Sequence, residues 1–293
     1  MFVCLSSGAR PRYRRDVLRA LAGPKGTLLQ FRYDEQWIAD DVKALVKSGQ
    51  VSGVECLIAY IDQTRTDVPP SVIPVRSASM VRADAQGRFF VLVMELSDYA
   101  SAEGQGIVDS QLAVVAAGNM PHWNDEQIEG KYWFQCPQMP QAVKVGEDLR
   151  IWQSAVDRLA QRKEFDAETL FYAVLGIFPA GSDSAALPAN GVFALEPETD
   201  YELRLHHYRP REPHVDGEDK VPVLEVSQVG EGVSFASYPI LAFDSRYDQK
   251  AFRFKTKASG TGSLALLRRG SECEQDPDIE LSLAIGQKTA VGS

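Results

Sequence analysis

The sequence predicts an α+β protein in three parts: an N-terminal domain built on a mixed α/β sheet or small barrel, a helical connector, and a C-terminal antiparallel β-sandwich of immunoglobulin-like architecture. Helix-spaced and strand-spaced apolar segments alternate through the first part. Between Gly146 and Asn190, two runs carry apolar residues three and four apart, followed by a stretch of small, turn-forming residues. Beyond that stretch, apolar and polar residues alternate with period two. At 293 residues the chain exceeds the usual single-domain size of about 100 to 200 residues. Two domains, 1–145 and 191–288, joined by a helical pair and linker over 146–190, follow from these boundaries.

In the first domain, the apolar run 2–5 predicts a short buried strand, and Tyr13, Val17, Leu18 and Leu21 mark one face of a helix that Gly23 and Pro24 terminate. Residues 27–33 alternate as a strand. Trp37, Val42, Leu45 and Val46 fit a second short helix closing at Gly49, and 54–61 is another apolar run of strand length. The stretch 71–97 reads as a β-hairpin turning at Asp84-Ala85-Gln86-Gly87, where Gly87 supplies a positive φ. Its return strand is continuously apolar from Phe89 to Met94, which predicts cover on both faces. Residues 107–117 fit a helix, and 131–135 a final strand.

In the connector, Leu149, Trp152, Val156 and Leu159 predict one helix. Asp166 caps a second that carries Leu170, Phe171, Val174 and Phe178 and stops at Pro179. Positions 181–191, Gly-Ser-Asp-Ser-Ala-Ala-Leu-Pro-Ala-Asn-Gly, offer little apolar surface and read as a linker. The second domain then presents strands at 192–195, 201–207, 221–229, 233–243, 251–257, 263–267 and 279–285. Tyr201, Leu203 and Leu205 alternate with Glu202, Arg204 and His206, the pattern of a sheet with one wet face. The Cys-Trp-Cys spacing of immunoglobulin domains is absent, so that label is architectural alone.

Composition narrows function. Apolar residues make up 44% and charged residues 24%, ordinary values for a folded chain. The first residues do not resemble a secretory signal, and no apolar run approaches the roughly 18 residues of a membrane span. Cys4, Cys56, Cys136 and Cys273 form no C-x-x-C pair, the pattern of buried thiols in a reducing compartment. The expectation is a cytoplasmic protein with no membrane partner. The formal charge of −9 disfavours a chain-wide nucleic-acid coat. Its acids crowd the second half, however, while residues 1–33 carry Arg10, Arg12, Arg14, Arg15, Arg19, Lys25 and Arg32 against Asp16 alone.

Candidate chemistry follows from four features. Arg10, Arg12, Arg14, Arg15 and Arg19 surround one predicted helix start, and guanidinium forks suit phosphate or carboxylate. A solvated helix face is the competing explanation. Trp123, with Tyr132, Trp133 and Phe134 near His122, could stack on bases or sugars, although such aromatics inside a strand usually belong to a core. His206 and His214 with Asp216 and Glu218 could hold a metal, but adjacent His206 and His207 point to opposite faces of a strand. Their loop, 209–220, also reads as plain polar surface. Asp200 with Glu218-Asp219-Lys220 resembles a magnesium nuclease arrangement by letters, on a stretch that reads as loop rather than strand.

Neither G-x-S-x-G nor a phosphate loop followed by a helix occurs, and Gly230-Glu231-Gly232 and Gly260-Thr261-Gly262 read as hairpin turns. No catalytic residue and no cofactor is predicted. The leading expectation is a non-enzymatic binding or regulatory protein whose β-sandwich docks a protein partner and whose basic N-terminal segment contacts an anionic ligand. The alternatives are a nucleic-acid or nucleotide reader, using the arginines and the aromatic segment, and a metal-dependent hydrolase using the histidine loop.

Overall fold

The computed structural model describes residues 1–7, 13, 16–17, 19–20, 25–62, 71–102, 115–116, 130–137, 143–146, 171–189, 192–208, 223–243, 247–268 and 278–286. The chain divides into two compact units, Met1–Ala173 and Val174–Ser293.

In the first unit, β1 (Phe2–Ser7), β2 (Leu28–Asp34), β3 (Glu55–Asp62), β4 (Ser71–Gln86), β5 (Phe89–Ala102), β6 (Val115–Ala116), β7 (Trp133–Gln135) and β8 (Val143–Gly146) form one mixed sheet. The order is β2-β5-β4-β3-β1-β7, with β6 on β4 and β8 on β5. β1 and β3 run parallel, and the strand pairs β1–β7, β2–β5, β3–β4, β4–β5, β4–β6 and β5–β8 are antiparallel. Tyr13, Asp16, Val17, Arg19 and Ala20 are helical, and a short 3-10 turn, Glu35–Trp37, precedes the helix Asp40–Lys47. Asp34 caps that turn by accepting from the Gln36 amide, while Val42 and Val46 face the core.

The hairpin lies where the sequence places it, but its strands are longer and its turn tighter. Gln86 pairs with Phe89, leaving Gly87 and Arg88 as a two-residue turn, with Gly87 at φ 62. Phe90, Val91, Leu92, Val93 and Met94 are all buried, so β5 is covered on both faces.

β4 departs from ideal pairing at Arg76/Ala78 and again at Met80/Arg82. The first irregularity admits a fully buried guanidinium. Arg76 donates from Nε and Nη2 to the Ser97 carbonyl (3.0 and 2.5 Å) and from Nη1 to the Ala20 carbonyl (3.3 Å). It also lies 4.0 Å over the Tyr99 ring. Burial lowers the Arg76 pKa and pushes Tyr99 up to about 12.

The second unit is also sheet. β9 (Phe171–Pro179) spans the boundary between the units, and β10 (Pro188–Ala189), β11 (Val192–Leu195), β12 (Asp200–Tyr208), β13 (Val223–Gly230), β14 (Val233–Phe235), β15 (Ile240–Ala242), β16 (Tyr247–Thr256), β17 (Gly260–Arg268) and β18 (Ile279–Ile285) follow. One set runs β14-β16-β12-β9, the other β10-β11-β18-β17-β13-β15. Strand β18 alternates buried and half-buried residues along its length, as the period-two pattern requires. Gly230-Glu231-Gly232 turns between β13 and β14, with Gly230 at φ 88 beside the Thr261 carbonyl, whereas Gly260-Thr261-Gly262 opens strand β17 and pairs with β18 instead of forming the expected turn.

These observations correct the expected fold class. Among the described residues, helix is confined to Asp40–Lys47, the short turn before it and residues of 13–20, so the protein is mostly β rather than α+β. Phe171–Pro179 is a strand, not the second helix of a connector. Leu170, Phe171, Val174 and Phe178 fit helical spacing, but Tyr172, Ala173 and Ile177 between them are buried along with Val174. A continuous apolar run does not distinguish the two states by period, and Gly176 at φ 138 suits a strand irregularity. The later sheet is mixed, because β11 and β18 pair in parallel, so an antiparallel sandwich is not what these residues build. Nor does the strand order show an immunoglobulin-like arrangement. The expected helix over 149–159 lies outside the described residues. Within 107–117, Val115–Ala116 pairs as strand β6 and the rest lies outside them.

Candidate functional site

The parallel pair determines where a site can form. Phe2 stands beside Cys56 and Ser7 beside Ile61, so β1 and β3 stop at the same edge of the sheet. Carboxyl ends of parallel strands are where a sheet leaves a crevice for ligands. On its other side β1 meets β7, with Cys4 opposite Trp133.

Hydrogen bonds extend this edge outward. The Leu5 amide donates to the Tyr132 carbonyl (2.7 Å) and the Tyr132 amide to the Trp37 carbonyl (2.8 Å). The Tyr132 ring meets Trp37 edge-on, with centroids 5.4 Å apart and planes at 85°. Trp37 is 40% exposed, an uncommon state for so large an apolar side chain. Beside it, the Lys131 ammonium donates to the Gln36 carbonyl (2.7 Å).

The sequence that follows β1 is basic. β1 ends at Ser7, and the sequence then runs Gly8-Ala9-Arg10-Pro11-Arg12 before the helical Tyr13. Ser6 Oγ donates to the Tyr13 carbonyl (2.5 Å), which holds the two ends of this arginine-bearing stretch together. The exposed aromatic pair and the start of the basic segment are thus connected through successive backbone partners of β1.

Beneath the edge the protein is sealed. Tyr33 donates its hydroxyl to the Leu5 carbonyl (2.8 Å) and stacks on Trp133, with centroids 6.0 Å apart. Burial raises both the Tyr33 and the Cys4 pKa well above their ordinary values, so neither is ionised near neutrality. A protonated buried thiol is a poor nucleophile. Toward the surface this edge carries the Trp37 ring and the Lys131 ammonium.

The predicted site residues divide accordingly. Arg10, Arg12, Arg14, Arg15 and Trp123 lie outside the described residues. Arg19 is 4% exposed, pairs with Asp16 one helical turn away and lies 5.8 Å over the Tyr172 ring, so its guanidinium is turned inward rather than offered to a ligand. Trp133 is fully buried between Phe2 and Tyr33, and its indole N–H has no hydrogen-bond partner among the described residues. It belongs to the core, because β7 places it on the face covered by the segment 38–46. Tyr132, the half-buried residue just before β7, is the aromatic nearer the surface, and it is joined by Trp37, which the sequence pattern assigned to a helix. The signal for Trp37 was present: it is followed by Ile38-Ala39 before the acidic start Asp40-Asp41, so it precedes the helix rather than lying on its buried face.

His206 stands half-buried on β12, and burial lowers its pKa against the opposing pull of Asp248. His214, Asp216 and Glu218 lie outside the described residues. Among those described, no three His, Cys, Asp or Glu residues gather in a group that could hold a metal. No described helix is long and apolar enough to cross a membrane.

No family model matches the chain, and no curated protein matches it. Among solved structures the chain is similar to tripeptidyl peptidase 2 (TPP II), at 13% identity over 46% of this chain and 11% of that one, with a TM-score of 0.25. A likeness of that size bears on neither fold nor activity.

Proposed function

We propose that the protein is a binding protein that takes up an anionic ligand carrying a flat ring, a nucleotide or single-stranded nucleic acid, at the carboxyl edge of β1. The observation that supports this reading is the half-exposed Trp37–Tyr132 pair, hydrogen-bonded to Leu5 five residues before Arg10, the first arginine of the basic segment. Aromatic stacking beside clustered cations is the general solution for ligands of this kind. Trp37 supplies the ring face, Tyr132 braces it from the edge, and Lys131 with Arg10, Arg12, Arg14 and Arg15 supplies the charge.

The test is fluorescence anisotropy with labelled oligo(dT) and a labelled nucleotide, stepped through salt concentration. Binding is expected to weaken linearly in log–log form as salt rises, with a slope near −0.7 per phosphate neutralised. Arg12→Glu with Arg14→Glu is expected to lower affinity more than tenfold and to flatten that slope. Trp37→Ala is expected to cost about 1–3 kcal/mol of binding at an unchanged slope. No binding of either probe at low salt removes the proposal.

A further inference from the structure

We infer that strand β15 is a self-association edge, at which two copies of this chain pair antiparallel about a two-fold axis through Leu241. Among the described residues β15 is the outermost strand of its sheet, with β13 on its inner side. The Val226 amide donates to the Pro239 carbonyl (2.8 Å), and Leu224 stands opposite Leu241. Successive residues of an antiparallel strand turn their backbone groups to opposite sides. Pro239 and Leu241 therefore point theirs toward β13, and Ile240 and Ala242 point theirs to the open edge. The Ile240 amide is already engaged with the Tyr238 carbonyl (2.8 Å). What the edge offers outward is the Ile240 carbonyl and both backbone groups of Ala242, which have no hydrogen-bond partner among the described residues.

A second β15 fits that pattern. Where a two-fold axis passes through a residue whose own backbone groups point away, the next amide of each strand meets the preceding carbonyl of the other. With Leu241 on the axis, the Ala242 amide of each copy reaches the Ile240 carbonyl of its partner, and the engaged Ile240 amide is not needed. Other sheet margins are blunted in the usual ways, by proline or by a covering segment. Strand β10 carries Pro188, and the Ala39 amide closes the outer side of β7 by donating to the Trp133 carbonyl (2.9 Å). Pro239 does not protect β15, because its carbonyl faces β13.

Charge singles out the same stretch. The chain carries a formal −9, so two copies repel wherever acids meet, yet no Asp, Glu, Lys or Arg occurs from Gly232 to Phe243. Tyr238, three residues before the axis, is 70% exposed. Two hydrogen bonds and a leucine contact bury far less than the roughly 1,200 Å² of a stable interface, so the dimer is weak and concentration-dependent.

Sedimentation velocity of the full-length chain, from about 10 µM to about 1 mM, is expected to show a reversible monomer–dimer equilibrium with its midpoint in that range. Ile240→Lys with Ala242→Lys sets lysines opposite each other across the axis and is expected to raise Kd about tenfold or more. Ile240→Lys with Ala242→Glu sets each lysine opposite a glutamate instead and is expected to return Kd to within about threefold of the unsubstituted chain. If a variant misfolds, the unsubstituted series decides alone, and a chain that stays monomeric throughout overturns the inference. A dimer that both variants leave intact, or that both weaken equally, overturns it too, because residues 240 and 242 then do not lie across from each other.

Discussion

Strand β5 of the first unit and strand β13 of the second carry valines in opposite circumstances. Val91 and Val93 on β5 are 6% and 5% exposed although they lie opposite the face that buries Leu92 and Met94, whereas Val229 on β13 is 57% exposed. The first unit holds Arg76, Arg19 and Asp16 in its interior, while Arg82 and Asp84, across from these valines, pair at a partly exposed site. In the second unit Glu202 is buried too, but it is bridged by Arg204 and by Arg253, each at 3.1 Å, and the Arg253 side chain is 78% exposed. Buried charge in the first unit thus meets internal partners, whereas Glu202 meets an arginine that reaches solvent.

The strongest test makes one substitution in both places. Val93→Lys places an ammonium on a buried face, with Arg82 and Gln30 directly across the pairs. A loss of about 4 kcal/mol or more is expected, because an unpaired buried charge is among the few mechanisms that reach that size. Val229→Lys is expected to stay within about 0.5 kcal/mol. Urea midpoints of the two variants decide the matter, and equal midpoints would mean that β5 has a wet face after all.

Much of this contrast was legible in the sequence. The continuous apolar run from Phe89 to Met94 reads as two-sided cover, and alternation along 279–285 reads as one-sided cover; β18 occupies those same residues. The failures share a cause. Around Phe171, a two-sided strand imitates a helix, because in a stretch where nearly every residue is apolar a three-and-four spacing can always be found. The parallel partnership of β11 with β18 could not be read at all, since it joins segments far apart in sequence through backbone alone. At the candidate edge the sequence supplied the arginines and the aromatic stretch, but not which ring faces outward. Tyr132 precedes β7 and stays half-buried, whereas Trp133 and Phe134 within it are both buried, so strand alternation does not say which ring faces outward. Trp37 was missed because membership of the sheet edge arises from the Tyr132 backbone, to which no side-chain pattern points.

Of intermediate size is the contrast between two arginines. Arg76→Met keeps an apolar stem but withdraws the donors now engaged with the Ser97 and Ala20 carbonyls, and about 1–3 kcal/mol is expected to be lost. Arg76→Lys is expected to recover little, because one ammonium cannot reproduce a fork that reaches both carbonyls. Arg253→Met, at an exposed site that shares Glu202 with Arg204, is expected to cost no more than about 1 kcal/mol. Thermal unfolding of the three variants side by side measures the difference.

The smallest effects vanish at neutral pH and appear at opposite ends of the scale. In the first unit, burial raises the Tyr99 pKa to about 12. The unfolded chain therefore releases the proton first, near the ordinary tyrosine value of about 10, and stability falls as pH rises from about 10 toward 12. Tyr99→Phe is expected to flatten that decline. In the second unit, burial lowers the His206 pKa, with Asp248 opposing it. Here the unfolded chain binds the proton first, so stability is complete above the ordinary histidine value of about 6.5 and falls as pH drops through the lower folded value. His206→Gln removes the titration and is expected to flatten the acid limb, while Asp248→Asn lowers the folded pKa further and steepens it. Urea midpoints measured from pH 5 to 8 separate these outcomes. If His206→Gln leaves the acid limb unchanged, the half-buried imidazole is hydrated well enough to accept its proton in the fold, and the wet face of β12 extends across His206.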